Sequence, residues 1–221
     1  MKFMKKNLHK HYKHFGISFL ILFIVILFYS VNESVFAASV TDVVQVSLVV
    51  DPGITITSPA DVSMAPNISI VANGSIGSAV WTVVTNAALG YTLAVHDSTD
   101  PALKQGAVDS FANYTETVLG TPEVWSVGSG AKEFGYSAFG TDSATATWGT
   151  GTSCGSAGAP TGTEKYQGFA ATPTDKTIAT RAVVTPVAGI ATTICFAAQQ
   201  NAIFASSGTY TATITATATT L

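Results

Sequence analysis

SGTYTATITATATTL, residues Ser207–Leu221, is the stretch whose reading decides the fold. From Thr209 to Thr219 every odd position is threonine, and every even position is Tyr, Ala or Ile. A period of two is the period of a β-strand, whose successive side chains point to opposite faces. Tyr210, Ala212, Ile214, Ala216 and Ala218 are therefore expected to face a core, and the threonines to face water. Threonine suits that role because it is β-branched, favours extended backbone and keeps a hydroxyl at the surface. The alternation also fixes register, since a slip of one residue would bury the hydroxyl row. Inward alanines require bulk from a facing layer, which Trp81, Tyr91, Trp125 and Phe196 can supply.

Working outward, the chain reads as strands and turns. VTDVVQVSLVV (Val40–Val50) alternates and runs into Asp51-Pro52-Gly53, a turn cluster. Asn73-Gly74 lies between alternating runs, the preferred pair for a tight type I′ hairpin. Ala79, Trp81 and Val83 share one face of the outgoing strand, and Tyr91, Leu93 and Val95 point inward from the next. A short helical turn is expected near Pro101. Strand-like runs follow at PEVWSV, KEFGYSAF, SATATW, TIATRAVVT and GIATTICFAA. No amphipathic helix of ordinary length interrupts them. Short strands at regular spacing indicate an all-β fold, an antiparallel two-sheet β-sandwich of immunoglobulin-like or jelly-roll-like type, occupying residues 38–221 as one domain.

Residues 1–37 read as an export leader. Lys2, Lys5, Lys6, Lys10 and Lys13 precede an apolar run from Gly16 to Val31, and Val35 and Ala37 stand where a signal peptidase requires small residues. The competing reading is a retained anchor, although sixteen apolar residues fall short of the ~20 of a spanning helix. The whole chain has 10 Lys/Arg and 13 Asp/Glu; removing the leader takes five lysines and Glu33, leaving a formal charge of −7. Nucleic-acid binding needs a cationic footprint, which this chain lacks. Cys154 and Cys195 are the only cysteines. In an exported chain they are expected to form a disulfide, with a pair of buried free thiols as the alternative.

Residues fit for catalysis are sparse. His96 is the only histidine after residue 37, and it neighbours Asp97 and Ser98 along a strand, where adjacent side chains diverge. No carboxylate pair is marked by spacing, and no glycine-rich loop leads into a helix. Asp97, Asp100 and Asp109 lack the dense acidic pattern of a calcium loop. No catalytic residue, metal or cofactor is expected. For binding, Trp148 opens onto the Gly-rich stretch Gly149–Gly168 and is the tryptophan expected to be exposed, a platform for a sugar ring; the alternative is a ring capping the core. Tyr166 in that stretch, and Asp97 and Asp100 at the start of the looser Asp97–Gly120, complete the candidate ligand contacts.

Two segments resemble the bacterial WxL-domain surface proteins. WTVVTNAALGYTLAV (Trp81–Val95) is similar to the segment carrying that family's Gly-aromatic-Thr-Leu strand, and Ser207–Leu221 to its closing strand. Ala216-Thr217-Ala218 stands where the Trp-x-Leu signature would be. The resemblance implies a secreted β-sandwich held non-covalently at a Gram-positive wall, binding peptidoglycan or other envelope polysaccharide, or assembling with other surface proteins. Among pilins, the type IV class expects a glutamate where Ile21 stands, and strand-donating subunits fit better. Val44, Val46, Leu48 and Val50 form the row such a donated strand would insert. The expected function is adhesion or envelope-polymer binding at the cell surface through end loops, without catalysis. The alternative is a structural subunit of a fibre, pilus or coat that polymerises by edge-strand pairing. With no sorting motif or second apolar segment toward Leu221, retention at the cell is expected to be non-covalent, through assembly, or through an uncleaved leader.

Overall fold

A computed structural model describes residues 19–26, 39–170 and 174–221. The chain divides into two units, residues 1–49 and 50–221. In the first, residues 19–26 are helical and residues 39–49 form neither helix nor strand. No helix among the described residues is long and apolar enough to cross a membrane. The lysine-rich start, both ends of the apolar run and the Ala37 site of the expected leader lie outside the described residues.

The second unit is β-rich. Its strands are β1 (Ile54–Thr57), β2 (Gly74–Thr85), β3 (Tyr91–Asp97), β4 (Leu103–Gln105), β5 (Asp109–Asn113), β6 (Glu123–Val124), β7 (Lys132–Gly140), β8 (Lys165–Tyr166), β9 (Lys176–Arg181), β10 (Ile190–Gln200) and β11 (Ile214–Thr220). A six-stranded sheet has the order β1-β2-β10-β7-β5-β4, a three-stranded sheet the order β11-β3-β9, and β6 pairs with β8. Pairing is antiparallel except at one place. There β5 runs parallel to β7, with Ala112 opposite Glu133 and Asn113 opposite Phe134. Parallel neighbours need a crossover of a dozen or more residues, and residues 114–131 provide it. The larger sheet is thus mixed, contrary to the purely antiparallel expectation.

Four local expectations also give way. Asn73-Gly74 makes no two-stranded hairpin, because residues 67–72 form no strand: the Ser69 N–H donates to the Ala72 carbonyl at 2.7 Å. Gly74 is required for space instead, since a Cβ there would lie 2.4 Å from the Gly158 carbonyl oxygen. SATATW is not a strand; Thr145–Trp148 is one helical turn, in which the Trp148 N–H reaches back to Ala144 at 2.9 Å, and it ends at Gly149 with φ 94°. Residues 98–102 bend without forming a helix. Asp51-Pro52-Gly53 does not turn either. The Asn86 side chain holds that stretch in line with β1, accepting from the Gly53 N–H at 2.6 Å and donating to the Asp51 carbonyl at 3.0 Å.

The core explains why these strands stay together. Ala79, Trp81 and Val83 of β2, Ile194 and Phe196 of β10, and Phe134 and Tyr136 of β7 share one cluster with Tyr91, Leu93 and Val95 of β3. Both larger sheets therefore feed the same core. Phe134 stacks on Phe196 and Phe169, with ring centroids 6.0 and 5.8 Å apart. Burying each such side chain contributes about 1.5–3 kcal/mol. The opposite face of β10 is also covered: Cys195 and Ala197 pack with Tyr114 and Tyr166, and Trp125 stacks on Tyr114 at 4.5 Å. That double burial is why ICFAA in β10 is an unbroken apolar run rather than an alternating one.

Cys154 and Cys195 form the expected disulfide, with Cα atoms 5.3 Å apart and a sequence separation of 41. It staples the Gly149–Gly168 stretch onto the outer face of the central strand. Replacing both cysteines with serine is expected to lower unfolding free energy by about 2–5 kcal/mol. Chemical denaturation of the wild type and the double variant, both without reductant, measures that difference.

Candidate functional site

An open groove of about 1520 Å³ lies on the core side of the six-stranded sheet. Its floor is made by Ala79 and Trp81 of β2, Phe196 and Ala198 of β10, Phe134 of β7 and Phe111 of β5. One wall is the irregular stretch that follows β1, with Val62, Met64 and Ile68; the other is the run from Phe204 into β11. The floor is apolar because alternation along three paired strands turns the same parity inward: Gly77 lies opposite Phe196, which lies opposite Tyr136.

The β11 wall follows from the threonine rhythm. Tyr210, Ala212, Ile214, Ala216 and Ala218 all face the core cluster, as the alternation requires, and the threonines from Thr209 to Thr219 are exposed. The regular strand nevertheless begins only at Ile214, because the preceding residues have a different partner. Thr211 exchanges both backbone hydrogen bonds with Lys104, at 3.1 and 2.9 Å, whereas Thr213 accepts from Ser98 at 3.0 Å and Leu221 donates to Gly90 at 3.1 Å. All these bonds fall on odd residues. Backbone alternation therefore turns the N–H and C=O of Ala212, Ile214 and Ala216 to the opposite edge, and no backbone partner meets them among the described residues. The alanine-bearing face is only half-buried, since the groove lies alongside it.

Asp109 secures the start of this wall. Its carboxylate accepts from Lys132 Nζ at 2.5 Å, the Tyr210 hydroxyl at 2.6 Å, the Ser206 N–H at 2.7 Å and the Ser110 N–H at 2.8 Å. The lysine bond first, then the tyrosine and Ser206 bonds, hold this carboxyl well below the usual carboxylate range. Burial and the bond to Asp109 push the Tyr210 hydroxyl up to about 12. At neutral pH the carboxylate is charged and the phenol is not, so the clamp is fully formed.

The residues expected to contact ligand lie elsewhere, and none of the four lines the groove. Trp148, expected to be the exposed indole, is only 3% exposed and packs on Tyr136 at 5.5 Å. The helical turn brings its ring inward, which an extended reading could not foresee. Tyr166 is buried on the far face beneath the disulfide loop, its hydroxyl donating to the Cys154 carbonyl at 3.4 Å. Asp97 is buried too, with Oδ2 unpartnered and its pKa raised, chiefly by burial. Asp100 accepts from the Asn113 side chain at 3.0 Å. His96 meets Asp175, 2.7 Å away. Among the described residues no cluster of His, Cys, Asp or Glu is arranged to hold a metal ion.

Val44, Val46, Leu48 and Val50 are all exposed, Val46 at 89%, and belong to no strand. The segments behind the WxL resemblance supply the paired strands β3 and β11, in a register that sets Ala216 opposite Val95. No protein-family model matches this chain, and neither a curated protein nor a solved structure matches it.

Asp109→Asn is expected to destabilise the fold by about 1.5–3 kcal/mol near neutral pH, the usual worth of hydrogen bonds to a charged group. Because the folded pKa is depressed, the contribution is complete above the unfolded value of about 3.9 and fades as pH falls toward the folded one. Urea unfolding of both proteins at stepped pH should show the gap closing in acid.

Proposed function

We propose that this chain is a non-catalytic structural subunit of a surface assembly, a two-sheet sandwich that joins its neighbours through open strand edges. The observation that carries this reading is the edge of β11 next to the groove, whose outward backbone groups have no backbone partner among the described residues. Sheet edges normally bear a guard such as lysine, proline, a bulge or a covering loop. The edge run ITATATT has no lysine and no proline, and the N–H and C=O of Ile214 and Ala216 face outward. Exposed groups of that kind are a template for another strand.

The disulfide and the leader-like start support an extracytoplasmic location, where a disulfide persists. Location at a bacterial surface, with other copies or other surface proteins as partners, follows from the resemblance of the β3 and β11 segments to wall-associated proteins. Recognition of envelope polysaccharide through end loops has less support, because Trp148 and Tyr166, the aromatic platforms it relied on, are buried.

Proline scanning of β11 tests this. The Ala216 N–H is turned outward and the Thr217 N–H toward β3, so Ala216→Pro removes an edge donor and Thr217→Pro a ladder donor. Exported wild-type protein is expected to form oligomers or fibres by sedimentation and electron microscopy, Ala216→Pro a folded monomer, and Thr217→Pro a destabilised chain. A wild type that stays monomeric across the accessible concentration range contradicts the reading.

A further inference from the structure

We infer that the cavity between the end of β7 and the Thr145–Trp148 helical turn is a binding site for one uncharged sugar ring, a single hexopyranose unit. The assembly reading above does not enter this inference, and either can fail without the other.

The cavity measures about 310 Å³ and shares no lining residue with the groove. It exists because Thr145–Trp148 winds into one turn instead of extending. The turn sets Trp148 on Tyr136, with ring centroids 5.5 Å apart, and ends at Gly149, where the chain leaves for the disulfide-stapled stretch. Ala138 of β7, Ser143 and Trp148 are the buried residues of the lining, and Thr141, Thr145 and Thr150 are exposed at its rim.

Ser143 supplies the observation that points to a ligand. It is 8% exposed, and its hydroxyl is buried without a hydrogen-bond partner. Buried hydroxyls are nearly always paired, because an unmade bond leaves the cost of lost hydration uncompensated. The backbone here is held in place. Asp142 accepts from the Tyr91 hydroxyl at 2.8 Å and from Arg181 at 3.2 Å, and its carbonyl accepts from the Thr180 N–H at 3.0 Å. The Ser143 N–H itself donates to the Gly140 carbonyl at 3.2 Å. The hydroxyl is thus fixed at a cavity about ten times the ~30 Å³ that one water occupies in the liquid.

The lining selects the class of ligand. None of the residues around the cavity is charged. A carboxylate, phosphate or ammonium group would lose its water there without gaining a counter-charge, so the ligand is neutral. Serine and threonine hydroxyls both donate and accept, which matches a ligand whose own polar groups are hydroxyls. Trp148 and Ala138 offer apolar surface to the C–H groups of a sugar ring. The volume lies at the lower end of the ~300–1,000 Å³ of small-molecule sites, a size for one ring and not for a polymer. Burial disqualifies Trp148 as an open platform for a long glycan, and makes it the floor of this smaller site. The Thr150 N–H donates to the Thr163 carbonyl at 3.1 Å, tying the rim to the stapled stretch and lowering the ordering cost of binding.

Saturation-transfer NMR and calorimetry on the disulfide-bonded protein test this. The probes are methyl glucopyranoside, methyl galactopyranoside and N-acetylglucosamine, with glucuronic acid as the charged counterpart. At least one neutral sugar is expected to bind saturably, and glucuronic acid is not. Ser143→Ala is expected to weaken that binding about three- to tenfold, the worth of one hydrogen bond. The same variant should melt no lower than wild type, because it removes a hydroxyl that has no partner within the chain. Thr150→Trp, which fills the mouth from an exposed position, should abolish binding while leaving circular dichroism unchanged. Absence of binding by all three neutral sugars overturns the proposal, as does equal binding by glucuronic acid or by the Ser143→Ala variant. A Ser143→Ala variant that is destabilised also overturns it, since the hydroxyl would then be paired within the fold. If Thr150→Trp fails to fold, Ser143→Ala decides alone.

Discussion

The unequal width of the two sheets that share one core is the constraint on which the rest depends. Six strands present an apolar face, and three strands contribute to the same core. The surplus face cannot be left to water without cost, because apolar area exposed beside the core forgoes roughly 25 cal/mol for every Å² that burial would remove. The irregular stretches after β1 and before β11 cover part of it, and the groove is what they leave. Trp81, Phe134 and Phe196 are buried by their neighbours, while the half-buried row of Tyr210, Ala212, Ile214, Ala216 and Ala218 marks where cover is incomplete.

Several interactions keep that opening from collapsing. Asp109 anchors the far wall to β5 and β7 through Lys132, Tyr210 and Ser206. Thr211 is fixed to β4 through Lys104, and β11 to β3 by a continuous antiparallel ladder. On the other sheet face, the disulfide and the aromatic cluster of Tyr114, Trp125 and Tyr166 hold β10 rigid, so the floor of the groove is a well-supported surface. At the far end of β3, Gly90 at φ 78° lets the chain pass so close to Arg181 that a Cβ would fall 2.1 Å from its carbonyl oxygen. Rigidity of this kind lowers the ordering cost of binding a strand.

Much of this was legible in the sequence, and the parts that were not have physical reasons. Period-two patterning placed β2, β3 and β11 and their inward residues, because one-sided burial writes itself directly into alternation, whereas β10, covered on both faces, is an unbroken apolar run that marks a strand without marking an inward row. The disulfide was readable because two cysteines in a chain with a leader-like start have few alternatives. Patterning failed where a four-residue segment fits either period, as in Thr145–Trp148, and with it went the exposure expected of Trp148. It failed at Asp51-Pro52-Gly53 and Asn73-Gly74, where turn-forming residues serve a side-chain clamp and a close backbone approach. The parallel β5–β7 pair could not be read from composition, since parallel and antiparallel neighbours draw on the same residues. The groove itself is a property of how many strands each sheet received, which no local pattern records.

The central claim is that the outward backbone groups of Ala212, Ile214 and Ala216, which have no backbone partner among the described residues, pair with another chain on assembly. Residue-resolved amide hydrogen exchange, in dilute monomer and in assembled protein, addresses it most directly. Ile214 and Ala216 amides should exchange rapidly in the monomer and become protected on assembly, while Thr215 and Thr217 are protected in both. Even-numbered amides already protected in the monomer, or still unprotected in the assembly, would contradict it.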